Sequence, residues 1–337
     1  MIRQITDKNN WDKVLEEVGD FDCYHTYEYH SISKNFNEKA ILVCYQKNGV
    51  TIALPLLKRI VENTPYFDCT SVYGYAGPIF SGNTTNADFE AFQEGLEEYC
   101  SNEHIVSIFS RLNPYIEGQE KPLWNLGHVK TLGNIVTLDL TKRKEEQRLA
   151  FSRTTKRYIN KARKFCTIKK SSSKKDVDTF MELYYENMDR VNAEKQYYFD
   201  KTYFFNLLES NDFKTEFIYA VLEETNEIVS GIITIRSKKT IHYHLSGTRT
   251  KYLYLHPLRL LLDEVRIMAS NDKFYSLNLG GGLGSKANDL FNYKSSFSKD
   301  VRKFKVWEYV VNKNVYSKLI RENDGNPNIF PAYRSKK

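Results

Sequence analysis

Lys294 lies midway between two phenylalanines, in Phe291-Asn292-Tyr293-Lys294-Ser295-Ser296-Phe297, a few residues after three consecutive glycines, Gly280 to Gly282. Residues three apart share a side of a helix. The two aromatics are therefore expected to bury themselves and hold the root of the lysine against the core. A lysine anchored beside the end of a short strand, Leu277 to Leu279, is a fixed positive charge for a substrate oxygen. Glycines let the backbone pass close to a bulky group or adopt φ > 0, so Gly281 and Gly282 are expected to border a ligand with Phe291. Asp289 is placed to accept or orient a proton, and it equally suits capping of the same short helix.

A second signal lies between Leu149 and Phe165, where Lys and Arg recur six times with no acidic residue. Projected as one helix, this segment puts Arg153, Arg157, Lys161 and Lys164 on one face and Phe151, Tyr158, Ala162 and Phe165 on the other. No carboxylate is spaced to pair with the cations. The stripe suits a phosphate-rich ligand; the alternative is a solvated face. Arg190, Tyr197 and Tyr198 follow another helix, where rings with hydroxyl tips suit sugar or peptide surfaces or simply pack the helix end. In Ile241-His242-Tyr243-His244-Leu245, strand alternation puts His242, His244 and Ser246 on one face and Tyr243 and Leu245 on the other. Two histidines without a third ligand do not make a metal site. His244 is instead a candidate acid or base, its ordinary pKa being near 6.5, with Tyr243 as a substrate contact.

Composition narrows the setting. The 337 residues are 41% hydrophobic and 14% aromatic, ample for two cores, and 27% charged. That excludes a disordered chain. No apolar run reaches the length of a membrane span, and the first residues lack the apolar core of a signal peptide. Cys23, Cys44, Cys69, Cys100 and Cys166 are scattered and never form C-x-x-C, which argues for a reducing compartment. The expected location is cytoplasmic. A formal charge of +7 favours acidic partners.

Periodicity supplies the elements that must position these residues. The first half reads as a strand (2–5), helices (11–18 and 26–33), strands (40–45 and 51–58) joined through Asn48-Gly49, and a strand-like stretch (72–79). A helix (88–100) and strands (105–111 and 135–140) follow. The second half reads as a strand (166–169), helices (176–189 and 201–208), strands (216–222, 228–236 and 240–246) and a helix from Pro257. It ends with the strand to Leu279, the short helix carrying Lys294 and a strand (304–311). Strand, two helices, three antiparallel strands, helix, strand, helix, strand is the order of the GNAT acyltransferase fold, and it occurs twice. Duplication is the economical account.

The ordered pieces Tyr73-Gly74-Tyr75-Ala76-Gly77-Pro78, Arg157 to Lys164, Met188-Asp189-Arg190 with Tyr197-Tyr198-Phe199, Tyr243 to Thr248 and Gly280 to Phe297 resemble the FemAB-like branch of the GNAT superfamily. The resemblance covers nearly the whole chain. It implies an α+β fold of tandem GNAT-like domains, each a mixed, mostly antiparallel sheet flanked by helices. The expected division is 1–145, a basic linker helix over 146–165, and 166–337 carrying the substrate cleft. The best-known members move an amino acid from aminoacyl-tRNA onto an amine of a cell-wall precursor. By resemblance, Lys294 matches the lysine of the family's F-K motif, with Tyr293 in place of the phenylalanine, and its ammonium neutralises charge on the acyl oxygen. Arg157 matches the family's basic motif, and Arg190 and Tyr198 line the cleft.

The expected function is therefore N-acyl transfer, from aminoacyl-tRNA or acyl-CoA, to an amine of a cell-envelope precursor bearing phosphate or pyrophosphate. No tightly bound cofactor is expected. A tRNA and a membrane surface are further candidate partners. Amide formation needs an unprotonated amine, proximity and oxyanion stabilisation, and no covalent nucleophile. The chain lacks the long helical hairpin of the bridge-forming enzymes. It also lacks the R/Q-x-x-G-x-G/A loop of CoA-dependent GNAT proteins, since Thr248 to Pro257 contains no glycine. The alternatives are an acetyl-CoA-dependent transferase acting on an amino sugar and a non-catalytic protein that binds anions or RNA.

Overall fold

The computed structural model describes residues 2–335. The chain begins β1 (Ile2–Ile5), α1 (Lys8–Val18), α2 (Tyr27–Ser33), β2 (Glu38–Lys47), β3 (Val50–Ile60), β4 (Phe67–Thr70), β5 (Ile79–Phe80), α3 (Asn86–Asn102), β6 (Ile105–Arg111) and β7 (His128–Asp139). It continues α4 (Lys144–Leu149), α5 (Arg153–Ala162), β8 (Cys166–Ser171), α6 (Val177–Arg190), α7 (Lys201–Glu209), β9 (Lys214–Leu222), β10 (Ile228–Ser237) and β11 (Thr240–Thr248). It ends α8 (Pro257–Asn271), β12 (Ser276–Gly280), α9 (Asp289–Ser295), β13 (Val301–Val310) and α10 (Lys313–Glu322). Short polar side chains start many of the helices: Asp7, Thr26, Thr85, Ser152, Asp200, Asn288 and Asn312 each accept a bond from a first-turn amide.

Two compact units result, one running to Leu132 and resuming at Lys303, the other Gly133–Arg302. The first has the strand order β1-β2-β3-β4-β6-β13, with β5 beside β3, and the second β7-β12-β11-β10-β9-β8. Neighbours pair antiparallel except β4 with β6 and β11 with β12, which are parallel. The α+β class and the repeated order stand as expected. The boundaries differ from 145 and 165, for a topological reason. Val306 to Val310 of β13 pair with Ser107 to Arg111 of β6, and β7 pairs with β12. Each sheet is thus completed by a strand from the other half of the sequence.

The basic segment is not a linker. It breaks at Ala150–Ser152 into α4 and α5, and Ser152 caps the second helix. The buried face of α5 is Thr155, Ile159 and Ala162. Ile159 and Ala162 join Leu261, Val265, Leu277 and Phe297 in the core on one face of the second sheet. Phe165, expected on that face, is exposed. A separate cluster of Phe180, Leu183, Phe204, Phe217 and Tyr219 packs α6 and α7 on the sheet. In the first unit, Val43, Leu54, Phe92, Leu96 and Trp307 form the core under α3.

Two further differences have local causes. Residues 73–78 are a loop, because side chains hold the backbone acceptors that a ladder would use. His25 and Gln119 donate to the Ala76 carbonyl, Gln119 also to Pro78, and Asn113 to Tyr75. The C-terminal helix α10 was not anticipated from periodicity. Among the described residues, no helix is long and apolar enough to cross a membrane.

A buried carboxylate fixes α4 and α5 on α8. Asp263 is fully buried and pairs with Arg266 at 2.8 Å, Arg148 at 2.7 Å and Arg163 at 3.1 Å. Removing its charge leaves the buried Arg266 unpaired, which typically costs 3–5 kcal/mol, roughly. Asp263→Asn is expected to lower the denaturant midpoint accordingly; a midpoint within experimental error of the parent would show that the cluster contributes nothing.

Candidate functional site

The site forms where β11 and β12 part. Their parallel pairing covers Thr240 with Ser276, Ile241 with Leu277 and His242 with Asn278, and ends there. The Asn278 side chain accepts from the Gly280 amide at 2.8 Å, and Gly280 turns the chain at φ +74°. Gly282 must be glycine because a Cβ there would lie 2.1 Å from the Lys286 carbonyl oxygen. This compact turn delivers the chain to α9, which Asn288 caps; Asp289 occupies its exposed first turn.

Lys294 projects from α9 into the space beyond the last paired residues. Its ammonium donates to the Gly281 carbonyl at 2.7 Å and lies 5.7 Å from the centre of the Tyr243 ring. The residue is only 8% exposed. Among the described residues it has no carboxylate partner. Burial pushes its pKa down to about 8, so enclosing the charge costs on the order of 3 kcal/mol. A hydrogen bond from a charged donor returns about 1.5–3 kcal/mol, which is no surplus. Phe297, 1% exposed, anchors the end of α9, while Phe291 packs more loosely at the edge of the core.

Tyr243 is brought to Lys294; His244 is not. The register between β10 and β11 slips so that Ile233 faces Leu245 and the next residue, Thr234, faces Tyr243. His244 is thus the extra residue of a bulge. Simple alternation fails there: Ser246 hydrogen-bonds the Tyr243 hydroxyl, and Leu245 packs with the α6–α7 core. His244 bonds the Tyr203 hydroxyl at 2.7 Å, and burial drives its pKa down to about 3. Neither Asp289 nor His244 hydrogen-bonds or ion-pairs with Lys294.

The other expected residues sit elsewhere in the unit. Arg190 donates to the Thr248 carbonyl and the Thr250 hydroxyl, both at 3.1 Å. The Tyr198 hydroxyl donates to Asp189 at 2.7 Å. Both thus make contacts that shape a helix end. Arg153, Arg157 and Lys161 are exposed along α5, as expected, and Lys161 donates to the Tyr254 carbonyl at 2.9 Å. Elsewhere in the basic segment, Arg163 pairs with Asp263 and Glu264. A cavity of about 500 Å³ lies in the first unit beside Cys100, His104 and Tyr309, and none of the candidate residues borders it.

Residues 150–295 match a family model described as an acetyltransferase (GNAT) domain. The crystal structure of FemX is similar at a TM-score of 0.74 and 14% identity, over 94% of this chain and 99% of that one. Most of the second unit thus matches a GNAT domain, on a chain with the fold of FemX. A conserved protein of unknown function from Bacteroides thetaiotaomicron is similar at a TM-score of 0.60 and 9% identity, over 92% of this chain and all 100% of that one. No curated protein matches the sequence. The GNAT match ends at residue 295, one residue beyond Lys294.

The enclosed ammonium is directly measurable. The native protein releases this proton near 8, whereas an unfolded chain holds it to about 10.4. Stability is therefore expected to rise with pH between those values. Nitrogen-detected NMR of the lysine amines is expected to show one resonance titrating near 8 and missing from Lys294→Met. Titration of every amine above 10 would contradict the enclosure.

Proposed function

We propose that the protein is an N-acyltransferase that attaches an acyl or aminoacyl group to an amine of a cell-envelope precursor. The observation that carries the reading is the ammonium of Lys294, held between the Gly281 carbonyl and the Tyr243 ring where β11 and β12 part. A charge kept there at a cost, without a carboxylate to neutralise it, is preorganised for negative charge that appears only during reaction. Attack of a neutral amine on an acyl carbon creates such a charge on the acyl oxygen. Lys294 is assigned to that oxygen, and Tyr243, joined to Ser246, to the neighbouring wall. Gly281 and Gly282 shape the approach.

His244 remains neutral through the physiological range, so it is not assigned as an acid. Asp289 in its exposed turn is free to orient an incoming amine. The GNAT match and the FemX fold support acyl transfer as the reaction class. The envelope acceptor and the choice between an aminoacyl and an acetyl donor rest on the sequence resemblance.

Incubation with labelled acetyl-CoA or charged tRNA and a panel of amine precursors tests the reading. One donor is expected to label one class of acceptor, and no transfer from either would sink it. Lys294→Met keeps the aliphatic stem, so it is expected to fold. Its turnover should fall by roughly a hundredfold or more, with substrate affinity changing less. For the parent, the rate should decline as pH rises through about 8, where Lys294 loses its proton. A Met variant with near-parental turnover would remove Lys294 from the chemistry.

A further inference from the structure

The cavity of about 500 Å³ in the first unit, within the size range of small-molecule sites, lies where three elements end or begin. α3 ends there with Glu97 and Cys100 on the wall, β6 starts there at Ile105, and α10 starts there with Lys313 and Asn314. His104, at φ +52°, turns the chain from α3 into β6. Its ring meets the Tyr66 ring edge-on, with centres 6.4 Å apart. Tyr309 of β13 adds a second tyrosine ring, 8% exposed and stacked on Trp307 at 5.6 Å. The apolar remainder of the lining includes Cys100, Ile105 and Val106, all buried.

Two opposite charges border this cavity without an ionic partner. Glu97 accepts from the Tyr309 hydroxyl at 3.1 Å, and among the described residues it pairs with no lysine or arginine. Lys313 pairs with no carboxylate among the described residues, and the two do not pair with each other. The backbone repeats this polarity. α3 runs for 17 residues and has no basic residue in its last turn, so its own side chains do not offset its negative end. α10 presents a positive end. The Asn312 side chain takes the Val315 amide at 3.0 Å, which leaves the Lys313 and Asn314 amides without an acceptor among the described residues. Burial, and then the Glu97 carboxylate, push the Tyr309 pKa up, so its hydroxyl remains a donor to that carboxylate. One small cavity thus has a negative end, a positive end and an apolar lining.

We propose that this cavity binds a small zwitterion, a free α-amino acid with an apolar side chain. Its ammonium meets Glu97 and the end of α3, its carboxylate meets Lys313 and the start of α10, and its side chain lies against the Tyr66 ring and the buried apolar lining. A ligand with only a positive charge would leave Lys313 facing a like charge, and a ligand with only a negative charge would do the same to Glu97. That mismatch selects against both. The site lies wholly in the first unit and uses none of the groups around Lys294, so it goes beyond the acyl-transfer reading and does not rest on it.

Calorimetric titration with phenylalanine, N-acetylphenylalanine and phenylalanine amide tests the site without any turnover, since each derivative lacks one of the two charges. Phenylalanine is expected to bind saturably, more weakly as salt rises, and both derivatives at least tenfold more weakly. Glu97 and Lys313 are exposed, so Glu97→Gln and Lys313→Met are expected to fold with the parental denaturant midpoint. Glu97→Gln should reduce affinity for phenylalanine at least tenfold yet leave N-acetylphenylalanine unchanged, because that probe has no ammonium to lose. Lys313→Met should do the same with phenylalanine amide as the unaffected probe. Absence of saturable binding, equal binding of all three probes, or parental affinity in both variants would overturn the proposal. Binding of phenylalanine by a protein that transfers no acyl group would leave this site standing and remove the catalytic reading alone.

Discussion

The second unit is arranged around an ammonium that burial disfavours. Lys294 could reach water from many positions on a short surface helix, yet α9 holds it beneath the surface against a carbonyl and an aromatic ring. Several otherwise unrelated features serve that placement. β11 and β12 stop pairing after three residues, which opens the space. The bulge at His244 turns Tyr243 and Ser246 to the same side. The packed turn at Gly282 sets where α9 begins, and Phe297 sets where it ends. Each is a local departure from regular structure, of the kind that concentrates at functional sites.

The second constraint is the carboxylate of Asp263, which ties α4 and α5 to α8 through three arginines. It adds to the buried face of Thr155, Ile159 and Ala162 in fixing the rotation of the basic helix. With it, Arg157 and Lys161 stand at the start of α8 beside Arg259. The pairing also sorts the cations of the basic segment. Arg148 and Arg163 are neutralised and structural, while Arg153, Arg157 and Lys161 keep their charge for the outside.

Much of this was legible in the sequence. Element order and class followed from apolar periodicity, because each helix and strand buries one regular face. Lys294 stood out because aromatic residues three on either side can only bury themselves by taking its stem along. What the sequence left hidden was non-local or irregular. Nothing in Val306 to Val310 says that β13 pairs with β6, nearly two hundred residues earlier, because strand partners carry no local signature. His244 was placed by strict alternation, and one extra residue in the strand undid that placement. Arg259 carries no sequence signal, because its contacts with Thr155 and Ser296 come from helices far away in the chain.

The start of α8 illustrates how one fold can keep its shape while the residues of a turn change. A glycine loop recognises phosphate through backbone amides, which no side-chain substitution can retune without disturbing the turn. In this chain the turn is filled by Tyr252, Tyr254 and His256, and the charge arrives on side chains from α5 and α8. The tyrosine that replaces phenylalanine before Lys294 fits the same logic. Its ring does the packing of a phenylalanine beside Phe297, while its unpaired hydroxyl adds a polar demand that packing alone does not require. The divergence from phenylalanine thus lies beside Lys294 without changing how α9 packs.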